Sequence, residues 1–161
     1  MIELLVGPIS SGKSTYSKVR AQEGAVTVND DAIVMAVHGQ EYKLYDPSYK
    51  PLYKSISTHM ATVATLSAHD VVIDGTNLTV ARRARWIDFA KCMNTDIIVV
   101  MFPWEPAAVH AERRMAHDSR GYTLEKWTEV ADRHEAEFEP LTTEEVEHYS
   151  EVLHYPGGVM F

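Results

Sequence analysis

The sequence predicts an α/β protein: a parallel β-sheet with helices on both faces. Three observations carry this. Short apolar strands alternate with helix-patterned segments along the chain. The inner strands are unbroken apolar runs rather than alternating ones, as strands buried on both faces require. A glycine-containing loop joins the first strand to the first helix.

Taken in order, residues 2–6 (IELLV) are an apolar run ending at Gly7 and read as a buried strand. Residues 7–14 are the loop, and the helix that follows runs from Lys13 to about Gln22. Residues 25–28 form a second short strand. Asp30 or Asp31 can cap a helix reaching about His38. Residues 39–51, with Gly39, Asp46-Pro47 and Pro51, read as a loop. A third helix spans 52 to about 68. Val71, Val72 and Ile73 make a β-branched strand that Asp74 and Gly75 end. Thr79 caps the next helix, whose apolar positions Val80, Ala84, Ile87 and Ala90 step by four, three and three; Trp86 is assigned to the core. Residues 96–102 (DIIVVMF) are the clearest buried strand. Pro103 and Pro106 start a helix to about His117, residues 119–122 break it, and Thr123 caps another to about Phe138. Residues 152–155 are read as an edge strand. There is no internal repeat and no low-complexity segment.

The 161 residues suit one domain, 1–161. Hydrophobic residues make up 45% and charged residues 24%, the balance of a globular protein. Cys92 is the only cysteine, so no intrachain disulfide can form. The N-terminal apolar run is short and has no basic region before it, so it reads as a core strand, not a signal peptide. No apolar stretch approaches the roughly 20 residues that span a membrane. Fifteen Lys+Arg against 23 Asp+Glu give a net charge of −8, which argues against broad, non-specific binding to nucleic acid but leaves room for a local basic groove.

The segment Gly7-Pro8-Ile9-Ser10-Ser11-Gly12-Lys13-Ser14 fits G-x-x-x-x-G-K-[ST] at every fixed position, after a strand and before a helix. In such a P-loop the glycines let the backbone wrap around phosphate oxygens, and the amides point at the anion. Gly7, Ser10, Ser11, Gly12, Lys13, Ser14 and Thr15 are the expected phosphate contacts. Lys13 supplies a point charge, and the Ser14 hydroxyl can ligate Mg²⁺, with Asp30 or Asp74 acting through water. No Asn-Lys-x-Asp base-reading motif marks a regulatory GTPase. The third strand ends on one acid, Asp74, where an ATPase motor carries a pair. A small kinase remains.

Phosphorylating an alcohol benefits from a carboxylate that orients the hydroxyl and takes its proton. Asp30 and Asp31 follow the second strand, so they face the same crevice as the loop; one of them is expected to be catalytic. Asp74, Thr76 and Asn77 end the third strand at the same edge and are candidates to bind the acceptor; Arg82, Arg83 and Arg85 on the helix after them could contact an acceptor phosphate or form an ordinary exposed helix face. Arg113 and Arg120 lie seven apart on and after one helix and share a face if it continues. Arg120 is expected to close over the transferring phosphate as part of a lid at about 110–125, with Arg113 or Arg114 beside it. His134 is expected at the surface, and no histidine pair suggests zinc.

GPISSGKST, VNDD, VVIDGTNLTVARRARW and the arginine of DSRGY together resemble the kinase module of polynucleotide 5′-kinases, most of all the phage type, and FEPLTTEE resembles that module's tail. The likeness covers most of the chain and is weakest over 39–68. It implies a P-loop kinase fold with a helical, arginine-bearing lid, and transfer of the ATP γ-phosphate to a 5′-hydroxyl of DNA or RNA. It implies Asp30 as general base, Lys13, Ser14 and Thr15 as phosphate and metal contacts, and Arg120 as lid arginine. The partners it implies are ATP and a nucleic-acid 5′-end or nucleotide-like acceptor, in the cytoplasm, of the host if phage-encoded. One departure stands out: Ile33 occupies the position where the phage enzyme carries an arginine. Two other readings stay open: a kinase for another hydroxyl, on a nucleoside, nucleotide, hydroxymethylated base or small metabolite, and a nucleotide-binding module without fast transfer.

Overall fold

The computed structural model describes residues 1–118 and 120–155. Five strands form one parallel sheet, β1 (Ile2–Val6), β2 (Val26–Asn29), β3 (Val71–Asp74), β4 (Ile97–Met101) and β5 (Glu151–His154), in the order β2-β3-β1-β4-β5. Pairing is parallel throughout, with Ile2 opposite both Val71 and Ile97. The helices are α1 (Lys13–Gln22), α2 (Asp30–Val37), α3 (Lys50–Leu66), α4 (Val80–Met93), α5 (Ala107–Ala116), α6 (Leu124–Glu137) and the short α7 (Thr143–Val146). Among the described residues no helix is long and apolar enough to cross a membrane.

The unbroken apolar strands are buried on both sides, as their composition requires. On one face Leu4, Val6, Ile73, Val99, Trp86 and Tyr149 pack together; on the other, Leu5, Val72, Val100 and Phe102 do. Because all strands point the same way, the segments leaving β1 to β5 converge at one edge of the sheet.

Several local expectations need correction. Asn29, not an aspartate, caps α2: it holds extended backbone at the end of β2, and its side chain accepts from the Ala32 amide at 2.8 Å. That moves Asp30 and Asp31 into the first helical turn, where a negative charge suits the helix dipole. Residues 39–51 are not plain loop. They hold 3₁₀ turns at Tyr42–Leu44 and Pro47–Tyr49, and α3 starts early because Pro51 is tolerated in a first turn. Pro103 starts no helix; α5 begins only after Pro106. It ends at Ala116, so Arg113 and Arg120 do not share a helical face. Ser119, in the expected break, lies outside the described residues.

Candidate functional site

The loop after β1 is shaped by backbone geometry. Gly12 has φ +102°, a conformation that disfavours any side chain, and immediately precedes α1. At Gly7 a Cβ would stand 2.8 Å from the Phe102 Cβ, so only glycine lets the loop pass beside β4. The loop is tied to β3's end as well. The Gly7 amide donates to the Thr76 carbonyl at 3.1 Å, and the Asn77 amide donates to the Leu5 carbonyl at 2.8 Å. No side chain caps α1, so its first-turn amides open onto the loop's concavity, the arrangement that favours an anion.

Lys13 is buried and bends back over the loop. Its ammonium donates to the Gly7 carbonyl at 2.9 Å, to the Pro8 carbonyl and to Ser11 Oγ at 3.2 Å. Burial lowers its pKa to about 8, with Asp74 opposing that shift. Ser14 and Thr15 stay exposed at the mouth of the loop.

A cleft of about 1420 Å³ runs across the strand ends and is lined by Ser10 to Thr15, Asp30, Asp31, Asp74 and Thr76. Asp30 keeps accessible surface but sits recessed in the wall. Desolvation there pushes its carboxyl above the ordinary aspartate range; Arg85 opposes this, and the neighbouring Asp31 adds to it. Asp74 is buried, and its carboxylate accepts from the Asn29 side-chain amide at 3.0 Å. Asp31 is paired across the cleft: Arg120 Nη2 donates to its carboxylate, and the guanidinium lies 3.6 Å from the centre of the Tyr42 ring. Arg113 lines the cleft but is paired with Glu105, while Arg114 stacks on Trp127 at 4.8 Å.

Three expected acceptor contacts are placed elsewhere. Arg83 is fully buried and donates to Glu145 of α7 at 2.7 and 3.0 Å and to the Leu78 carbonyl at 2.9 Å; it fastens the C-terminal segment to α4. Asn77 is buried and spends its amide on β1, with φ +46° in a tight turn. Arg82 points outward, near Glu137 at 3.9 Å, and touches the cleft only through Thr76 Oγ1 at 3.4 Å. Trp86 is in the core, 4% exposed.

His134 and the tyrosines at the site were not anticipated. His134, expected at the surface, is buried, and its Nδ1 accepts from the Ile9 amide of the loop at 3.3 Å. Burial, with Lys13 next, lowers its pKa to about 4, so the ring is neutral with its proton on Nε2. Its spacing along α6 gave no sign of this, because the loop it meets is 125 positions away. Arg85 is the positive group that most affects Asp30, and α3 holds it through Lys54, Ser57 and Thr58 at 2.7–3.0 Å. Ile33 is packed in the core, so no side chain there reaches the cleft. Tyr42 and Tyr45 also line the cleft; the signal for them was the run Tyr42, Tyr45, Tyr49 and Tyr53 in a segment read as loop.

Among the described residues no three His, Cys, Asp or Glu side chains cluster to hold a metal. The Ser14 hydroxyl with single carboxylates such as Asp74 would suit an ion bound largely through phosphates and water, as Mg²⁺ is.

Sheet order, the loop and its helix define a P-loop protein of the kinase-like type. Residues 2–141 match the family described as an AAA domain (AAA_33), and the chain belongs to that family. Its fold is similar to a candidate kinase from Chloroflexus aurantiacus J-10-fl (TM-score 0.66, 15% identity, covering 95% of this chain and 85% of that one). It is also similar to a gluconokinase from Sinorhizobium meliloti 1021 (0.55, 18%, 94% and 79%). A chain of the Pnkp1/Rnl/Hen1 complex matches at TM-score 0.59 and 20% identity over 76% of this chain, which spans 40% of that chain's length. At these identities the likeness establishes the fold. No curated protein gives a significant match.

Proposed function

We propose that this chain is an ATP- and Mg²⁺-dependent kinase that transfers the γ-phosphoryl group to the 5′-hydroxyl of DNA or RNA, and that residues 1–161 act as one unit with a lid at about 110–125. The observation that carries the reading is Asp30: a carboxylate with a raised pKa stands in the same cleft as the phosphate loop. A base whose pKa approaches the working pH takes a proton more effectively than an ordinary aspartate. The resemblance of the motifs to polynucleotide 5′-kinases supports the acceptor class.

In this reading the loop amides and Lys13 hold the outer phosphates. Ser14, with Asp74 or Asp30 through water, holds Mg²⁺, which neutralises charge on the phosphate oxygens when bound. Asp30 orients the acceptor hydroxyl and receives its proton as the oxygen attacks. Asp31 anchors Arg120 on the acceptor side, from where the guanidinium can turn toward charge developing on the transferred group. Arg85 opposes the desolvation that raises the Asp30 pKa.

A second reading, a kinase for a small hydroxylated metabolite, is favoured by the buried Ile33 and the net charge of −8. Offering γ-labelled ATP with 5′-hydroxyl DNA, 5′-hydroxyl RNA, nucleosides, nucleotides and sugar acids separates the two. Label on the oligomers supports the first reading. Label confined to small acceptors replaces it with the second.

A further inference from the structure

The acidic end of the cleft is walled by tyrosines. Tyr42 and Tyr45 lie with planes 11° apart and centroids at 6.0 Å, Tyr45 stacks on Tyr53 at 5.9 Å and 24°, and Tyr53 on Tyr49 at 6.3 Å and 24°. Tyr53 is buried and takes a 2.6 Å hydrogen bond to His38, so the array has a fixed backing. Its cleft-facing members, Tyr42 and Tyr45, are half-buried and follow directly from the helix that carries Asp30 and Asp31. Tyr155, at the end of β5, lies beyond the phosphate loop on the opposite side of the sheet, so the two aromatic walls serve different ends of the cleft.

A planar group already lies on the first of these rings: the Arg120 guanidinium, at 3.6 Å. Flat, delocalised groups of this kind stack on aromatic faces as nucleobases do. A hydroxylated acid would call instead for paired donors and acceptors. On this geometry we propose that Tyr42, backed by Tyr45, is a stacking platform for the 5′-terminal nucleobase of the acceptor strand, placing the hydroxyl of that nucleotide beside Asp30. This rests on the kinase reading above and specifies its acceptor end. Arg120 and the base use the same ring, so the base seats as the lid arginine moves off toward the phosphates.

The test compares a short 5′-hydroxyl DNA strand ending in adenine with the same strand bearing an abasic 5′ residue. The base should lower the acceptor KM about tenfold, the scale of one base–aromatic stack. Tyr42→Ala should bring the two KM values together, and Tyr42→Phe should keep them apart. Equal KM values in the unaltered protein, or a preference that survives Tyr42→Ala, would overturn the platform. A 5′-terminal 2-aminopurine strand, added with a non-hydrolysable ATP analogue, reads stacking by fluorescence quenching without any turnover. Quenching without label transfer keeps the platform and removes the kinase reading; label transfer without base preference or quenching does the reverse.

Discussion

The two walls of the cleft are built in different ways. The phosphate loop is fixed by backbone: a glycine at φ +102°, another with no room for a Cβ, and amides bonded to β3's end and to His134. The acidic wall is fixed by side chains: Asp31 to Arg120, Arg120 over Tyr42, Arg85 to α3. Backbone sites tolerate little change at few positions; side-chain sites spread their dependence over residues distant in sequence. The first kind leaves a motif, and the second does not.

The contrast can be broken most severely at Asp30. Asp30→Asn should reduce kcat by about 10²–10⁴-fold, the range for removal of a general base, with little change in ATP affinity measured by titration. In the unaltered protein the rate should rise with pH through the Asp30 ionisation, above the ordinary aspartate range because burial favours the neutral acid. The Asn variant should lose that limb. A pH profile unchanged by the substitution would mean that Asp30 carries no proton.

Next in size is a residue at neither wall. Arg83→Met leaves Glu145 buried without its partner and should cost about 3–5 kcal/mol in denaturant unfolding. Adding Glu145→Leu should restore much of this, since an apolar pair has no charge to desolvate. Burial works against the Glu145 carboxylate, yet bonds from Arg83 and Thr142 hold its pKa below the ordinary value.

His134 gives a pH test of the loop's packing. Its pKa falls from 6.5 unfolded to about 4 folded, so protonation favours the unfolded chain. Stability should therefore be full above pH 6.5 and decline down to about pH 4, by roughly 3 kcal/mol from this group. His134→Asn should flatten that segment of a stability-versus-pH curve.

The smallest expected effect is at Gly12. Gly12→Ala meets only the Phe102 ring, at 3.8 Å, so its cost comes from φ +102° alone, about 1–3 kcal/mol by thermal unfolding. A larger loss of ATP affinity than of stability would show that the loop's shape matters more to binding than to folding.

The parallel sheet and the phosphate loop were legible because each is written locally, in apolar runs and in eight adjacent positions. Asp30 and Asp31 were legible as residues at a strand end, but the capping role read for them belongs to Asn29. Asn29 was as good a cap, and only the end of β2 decides between them. Arg83 and Asn77 looked like ligands because polar residues after a core strand often face a crevice; their buried partners, Glu145 and the Leu5 carbonyl, lie 62 and 72 positions away. His134 was obscure for the same reason. A helix face can be computed from spacing, but what it meets depends on the tertiary arrangement.

The pair formed by Arg83 and Glu145 separates recognition from folding. The residues that identify the family stop at 141, before that glutamate and before β5. A chain cut there would keep the phosphate loop and the cleft's carboxylates, yet it would strand a guanidinium in the core and open the edge of β4, an invitation to pair with other chains. The shortest stretch that names this protein's family is therefore shorter than the shortest stretch able to stand as a protein.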